Sequence, residues 1–214
     1  GTHGSTIGRY RRTTSICPDK LLTPLCDCRH TGGVGLGADE GRVDMVRGRI
    51  AGAPISWGVC EVEGWGLQLP RERVLGEMRQ VGLTATEFGP EGWLPGEPEA
   101  RAAALRAYGL EAVGGFLPVV LHDADTDPAA AFDEFAETCL AAGAGVVVLA
   151  AATGVNGYDL RPELSDEQWA TLCENLDRLH DRAQARGLLA VLHPHVGTMV
   201  EGAEDVETVL TRSR

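Results

Sequence analysis

The chain has 214 residues, a formal net charge of −12, 43% hydrophobic and 23% charged residues. These are globular proportions, enough for one domain with a sizeable core or two small ones, and they exclude a disordered or fibrous chain. The acidic balance argues against a nucleic-acid partner, whose phosphates need a basic footprint, and no apolar run approaches the ~20 residues of a membrane helix.

Residues 1–44 differ from the rest. They hold 6 of the 19 basic and 5 of the 31 acidic residues, a balance of +1 against −13 for the remainder. The segment shows neither helix nor strand periodicity and no apolar signal core, so it reads as a disordered extension, with Met45 as the expected natural start. With neither signal nor span, the expected location is cytoplasmic. Cys17, Cys26, Cys28 and His30 crowd this segment, but their spacing fits no standard zinc finger. Gly33, Gly35 and Ala38 match the letters of a dinucleotide fingerprint, yet no strand precedes them, and the fingerprint works only between a strand and a helix. Cys60, Cys139 and Cys173 stand apart and read as reduced thiols.

From residue 49 onward, short apolar runs alternate with helical patterns. Strands are expected over residues 50–57, 83–88, 110–116, 145–150 and 188–193. The first helix opens at Pro70 and carries Val74, Met78 and Val81 at helical spacing. The second covers 98–108 and the third 128–142, each stopped by a glycine. The fourth starts at Ser165, with Gln168 three residues on as a capping box, and ends at Gly187. A fifth covers 203–210. Five β-then-α units in series mean a parallel sheet with helical crossovers, either an open doubly wound sheet or a (β/α)8 barrel. At ~250 residues per barrel, or ~31 per unit, residues 45–214 hold about five and a half units.

In either fold the ligand sits beyond the carboxyl ends of the strands. There the sequence places Ser56, Trp57 and Glu61 after the first strand, Glu87 after the second, His122 after the third, and His193, His195 and Glu201 after the fifth. Two imidazoles two residues apart on an extended strand point the same way. They can share a metal, or divide into one ligand and one substrate or proton-transfer group; the plainer alternative is a pair bonded to backbone. Glu87 directly follows an apolar strand, where ionisation is costly without a partner. Trp57 and Trp93 can floor a sugar site, or can simply be core. His180 lies within the fourth helix and reads as structural. Neither a Gly-x-Ser-x-Gly elbow nor a Walker loop is present.

Ala53-Pro54-Ile55-Ser56-Trp57-Gly58-Val59, Thr86-Glu87-Phe88-Gly89-Pro90 with Leu94-Pro95, and His193-Pro194-His195-Val196-Gly197-Thr198 with Glu201 resemble the inosose dehydratases, of the xylose isomerase-like TIM barrels that include sugar phosphate isomerases and epimerases. The resemblance runs from about residue 50 to the end. It implies an incomplete (β/α)8 barrel of about five units, with residues 1–44 as an extension and 45–214 as the partial barrel. It also implies a divalent metal (manganese, cobalt or magnesium) and a small sugar or inositol ketone as substrate; an oligomer is left open. Relatives carry a Glu at the end of strand five, where His193 stands here, so His193 or Glu201 takes the first ligand position. The ligands of strands six to eight find no match before Arg214. Dehydration of 2-keto-myo-inositol, or a related isomerisation, is the chemistry implied, with His195 and Glu87 catalytic and Trp57 and His122 binding substrate. The alternative is a catalytically inactive truncated remnant. A flavodoxin-like binding domain would need a phosphate-cradling loop after strand one, where only Gly58 is found.

Overall fold

Strands and helices alternate along the computed structural model, which describes residues 50–62, 64–155 and 160–214. The expected extension over 1–44, its cysteine–histidine cluster and the 33–38 stretch lie outside the described residues. The elements are β1 (Ala51–Gly52), α1 (Arg71–Gln80), β2 (Ala85–Thr86), α2 (Pro98–Arg106), β3 (Glu111–Ala112), β4 (Gly114–Val120), α3 (Ala129–Ala142), β5 (Val146–Ala152), α4 (Asp166–Gln184), β6 (Leu189–Leu192) and α5 (Ala203–Arg212).

The expected first strand is cut short. Pro54 has no N–H for the ladder and starts a 3-10 turn, Pro54–Trp57, which Gly58 closes at φ +77°. The helices start and stop near their expected ends. At α4, the Gln168 amide donates to the Ser165 hydroxyl at 3.3 Å and the Ser165 amide to the Gln168 side chain at 3.0 Å, the reciprocal box the spacing predicts.

All pairings are parallel and follow chain order, β1-β2-β3 and β4-β5-β6. Val113 joins the two ladders. Its amide donates to Thr86 at 3.0 Å, its carbonyl accepts from Gly145 and Val146 at 3.1 Å, and Phe88 donates to Gly114 at 3.0 Å. β3 and β4 therefore act as one barrel strand with a kink, and five strand positions run in sequence. A doubly wound sheet reverses its strand order at a switch point, and among the described residues the order runs on without reversal, so it selects the barrel. The kink demands glycine: a Cβ on Gly114 would lie 1.9 Å from the Val146 carbonyl oxygen.

Alternation along the strands divides the sheet. Leu117, Val119, Leu121, Val147, Leu149 and Ala151 pack into the layer beneath the helices, against Leu75, Met78, Phe132, Leu172 and Leu179, all fully buried. Each such side chain contributes roughly 1.5–3 kcal/mol by leaving water. The alternate residues Phe116, Pro118, Val146, Val148 and Val191 lie on the barrel-interior face and are only partly covered or exposed. Arg182 of α4 and Arg186, just beyond its end, clasp Asp133 of α3, and Arg212 reaches Asp166, so the outer helices are also joined by ion pairs. Among the described residues, no helix is long and apolar enough to cross a membrane.

Candidate active site at the carboxyl ends of the strands

Glu87 follows β2, its amide donating to the Gly52 carbonyl at 2.9 Å. Its neighbours Thr86 and Phe88 are buried, at 0% and 3% exposure, and alternation sets Glu87 on the opposite, half-buried side. Burial pushes its carboxyl above the ordinary glutamate range, and the nearby His193 imidazole works against that shift.

His193 extends β6 by one residue, donating its amide to Leu149 at 2.8 Å. Pro194 then has no amide to offer, and the chain leaves the ladder. The rings of His193 and His195 have centroids 5.5 Å apart, and Phe116 packs on both, at 6.1 Å and 5.6 Å. His195 Nδ1 lies 2.8 Å from the Val196 carbonyl. A carbonyl only accepts, so Nδ1 carries the proton, and the lone pair of the neutral ring is on Nε2. Phe116 is the member that sequence reading missed as a site residue. Its signal is the period of two that sets it, with Pro118, opposite the core-packed Leu117 and the buried Val119.

The remaining residues fall elsewhere. Glu201 Oε2 accepts from the Gly197 amide at 3.0 Å, so its carboxylate closes the turn after His195. The Trp57 indole donates to Glu77 of α1 at 2.9 Å, and Arg73 holds the same carboxylate at 2.8 Å. The Trp93 indole donates to the Leu69 carbonyl at 3.3 Å. His122 is 8% exposed, and its Nδ1 has no hydrogen-bond partner among the described residues. Burial lowers its pKa, against a smaller opposing effect of Asp123. Pro118 is level with His193 through the shared register with Ala150. His122 is four residues further on, about 13 Å of extended chain, so it does not join the Glu87–His193–His195 group directly. Glu61 is exposed on the bend that follows the first turn.

A half-buried carboxyl held near an imidazole pair at a strand mouth is suited to moving protons. Holding a divalent ion is a different requirement. Among the described residues no three His, Cys, Asp or Glu side chains converge to hold one, and the Glu201 carboxylate is engaged by backbone. The donors present therefore do not fit the complete metal site that the resemblance implies.

No family model matches the chain. Over 172 residues it is 31% identical to an inosose dehydratase of Geobacillus kaustophilus, covering 76% of this chain and 55% of that protein. Over 180 residues it is 32% identical to the rhizopine catabolism protein MocC of Rhizobium meliloti, with coverage of 80% and 54%. The chain thus spans about half the length of the curated relatives it matches. Among solved structures, D-allulose 3-epimerase from Methylomonas sp., in complex with D-allulose, superposes with a TM-score of 0.56 at 15% identity, over 76% of this chain and 57% of that one. A xylose isomerase-like TIM barrel protein from Mycobacterium smegmatis, in complex with magnesium, gives a TM-score of 0.51 at 16% identity, over 76% and 60%. At those identities the structures speak to fold alone, and the fold is the one the strand order selects. By sequence this chain is similar to the inosose dehydratases over about half of their length, and its fold is that of a xylose isomerase-like TIM barrel.

Proposed function

We propose that the chain belongs to an enzyme acting on polyhydroxylated ketones, a cyclitol ketone such as 2-keto-myo-inositol or a related keto-sugar. The observation that carries this reading is Glu87: a half-buried carboxyl, raised in pKa by burial, beside an imidazole pair at the strand mouth. A carboxylate with raised basicity removes a proton α to a carbonyl. The C–H electron pair becomes the enolate, which then expels the β-hydroxyl. Nε2 of His195, once it has taken a proton from solvent, supplies that proton to the departing group, which leaves as water. The same first step without the loss of water is isomerisation or epimerisation, so one pair of residues serves both reactions. Trp57, whose indole is held by Glu77, and His122, about 13 Å of extended chain beyond the level of His193, take no part in this step. His193 and Glu201 are the two donors on offer to a divalent ion, and no step here depends on one.

The test is exchange of the α-hydrogen of 2-keto-myo-inositol in deuterated water, followed by proton NMR with the 214-residue chain. Expected is exchange above the buffer rate that falls at least about a hundredfold in Glu87→Gln, the scale of a lost general base. Exchange that is unchanged by Glu87→Gln overturns the assignment. A second reading, a chain without turnover of its own, is favoured by the lack of a three-donor metal cluster among the described residues. It predicts no exchange beyond buffer with either protein.

A further inference from the structure

The His195 turn is held at more points than a surface connection requires. The Thr198 hydroxyl is 2.8 Å from the His195 carbonyl and 2.9 Å from that of Val200, and the Thr198 amide donates to the same His195 carbonyl at 3.1 Å. The His195 amide in turn donates to Val200 at 3.0 Å. Thr198 is 8% exposed, and Met199 and Val200, at 1% and 0%, anchor the turn in the core. The Met199 amide bonds Ala151 of β5 at 2.7 Å. Arg161 spans the far side, reaching the Met199 carbonyl at 3.2 Å and Asp205 at 2.6 Å, while Asp205 accepts from the Glu201 and Gly202 amides. Glu201 then closes Gly197, which sits at φ +74°.

Pro194 has already broken the ladder, so without these bonds His195 would ride on a free loop. A ring on a free loop samples both tautomers and several rotamers, and a proton-transfer group must be held in one. We infer that Thr198 is a positioning residue, which with Glu201 fixes the backbone of the turn so that His195 keeps Nδ1 on the Val196 carbonyl and presents Nε2 as the reactive nitrogen. This inference rests on the reading of His195 as a proton-transfer group acting through Nε2, but its geometry stands without it. It also gives Glu201 a structural task, closing the turn on the Gly197 amide. Burying a threonine hydroxyl is costly unless it is bonded, and a valine would fill the same volume, so the hydroxyl is there for the bonds it makes.

The test is the tautomer of His195, read from long-range nitrogen–proton NMR spectra of the full chain labelled at histidine. Wild type and Thr198→Ser should both show the Nδ1–H form in excess. Thr198→Val should reduce that excess by about fivefold, the ratio that follows from losing one buried hydrogen bond. Glu201→Ala is exposed enough to leave the fold intact should the valine variant fail to fold; it should reduce the excess by a smaller factor and speed exchange of the Gly197 amide. An unchanged tautomer ratio in Thr198→Val, or in Glu201→Ala where the valine variant does not fold, overturns the inference. A locked tautomer in a chain that exchanges no α-hydrogen would instead sink the proposed function and leave the clamp standing.

Discussion

The Phe116 ring lies 5.6 Å from the ring of His195, tilted by 51°, although 79 positions separate them in the chain. The contact crosses from β4, past β5, to the turn after β6, and Phe116 meets His193 from the same position at 6.1 Å. One aromatic side chain on the interior face thus sets the lateral spacing of both imidazoles.

Removing that ring should loosen both. Phe116→Ala should lower unfolding free energy by about 1–2 kcal/mol, less than the 3–5 kcal/mol typical of a fully buried phenylalanine because the ring is half-buried. Urea unfolding measures this. The histidine ring resonances should broaden in the same variant; sharp, unshifted signals would mean that Phe116 does not hold them.

Glu87 predicts the sign of a pH effect. Its folded-state pKa is raised, so the folded chain binds a proton more tightly than the unfolded one. Stability from this residue is therefore present below the ordinary glutamate value and falls as pH rises through the raised value. Wild type should lose stability relative to Glu87→Gln across that window and run parallel to it on either side. Urea midpoints taken at several pH values check this, and a difference that grows in favour of wild type with rising pH would reverse the assigned sign. If Glu87 is the base, α-hydrogen exchange should rise with pH over the same window.

His193 and Glu201 offer two donors at most, whereas a divalent ion of this kind takes six or more ligands and stays mostly hydrated when the protein supplies few. Excess manganese should therefore move the thermal midpoint of the chain by less than about 2 °C, since weak binding to the native state gives little linkage stabilisation. A larger shift that His193→Ala abolishes would show that a third donor joins them.

Much of the architecture is already present in local patterning. The helical spacing of Val74 and Met78, the Ser165–Gln168 box and the glycines at 143 and 187 set where helices begin and end, because capping and periodicity act over a few residues. The motifs around Glu87 and His193 also mark the carboxyl ends of the strands. Local patterning does not reveal which β/α architecture is built, and length alone left the open sheet and the barrel equally possible. The resemblance of the motifs pointed to the barrel, and strand order bears it out, through hydrogen bonds such as Val113 to Thr86 and His193 to Leu149 that join residues far apart in the chain. Tertiary structure likewise assigned the carboxylates. Glu201 and Glu87 both read as site acids in sequence, but only the folded turn brings the Gly197 amide to Glu201, and only burial at the barrel mouth raises Glu87. The physical reason is that a carboxylate's role depends on its desolvation and on the partners within about 4 Å, and both are set by elements that meet only on folding.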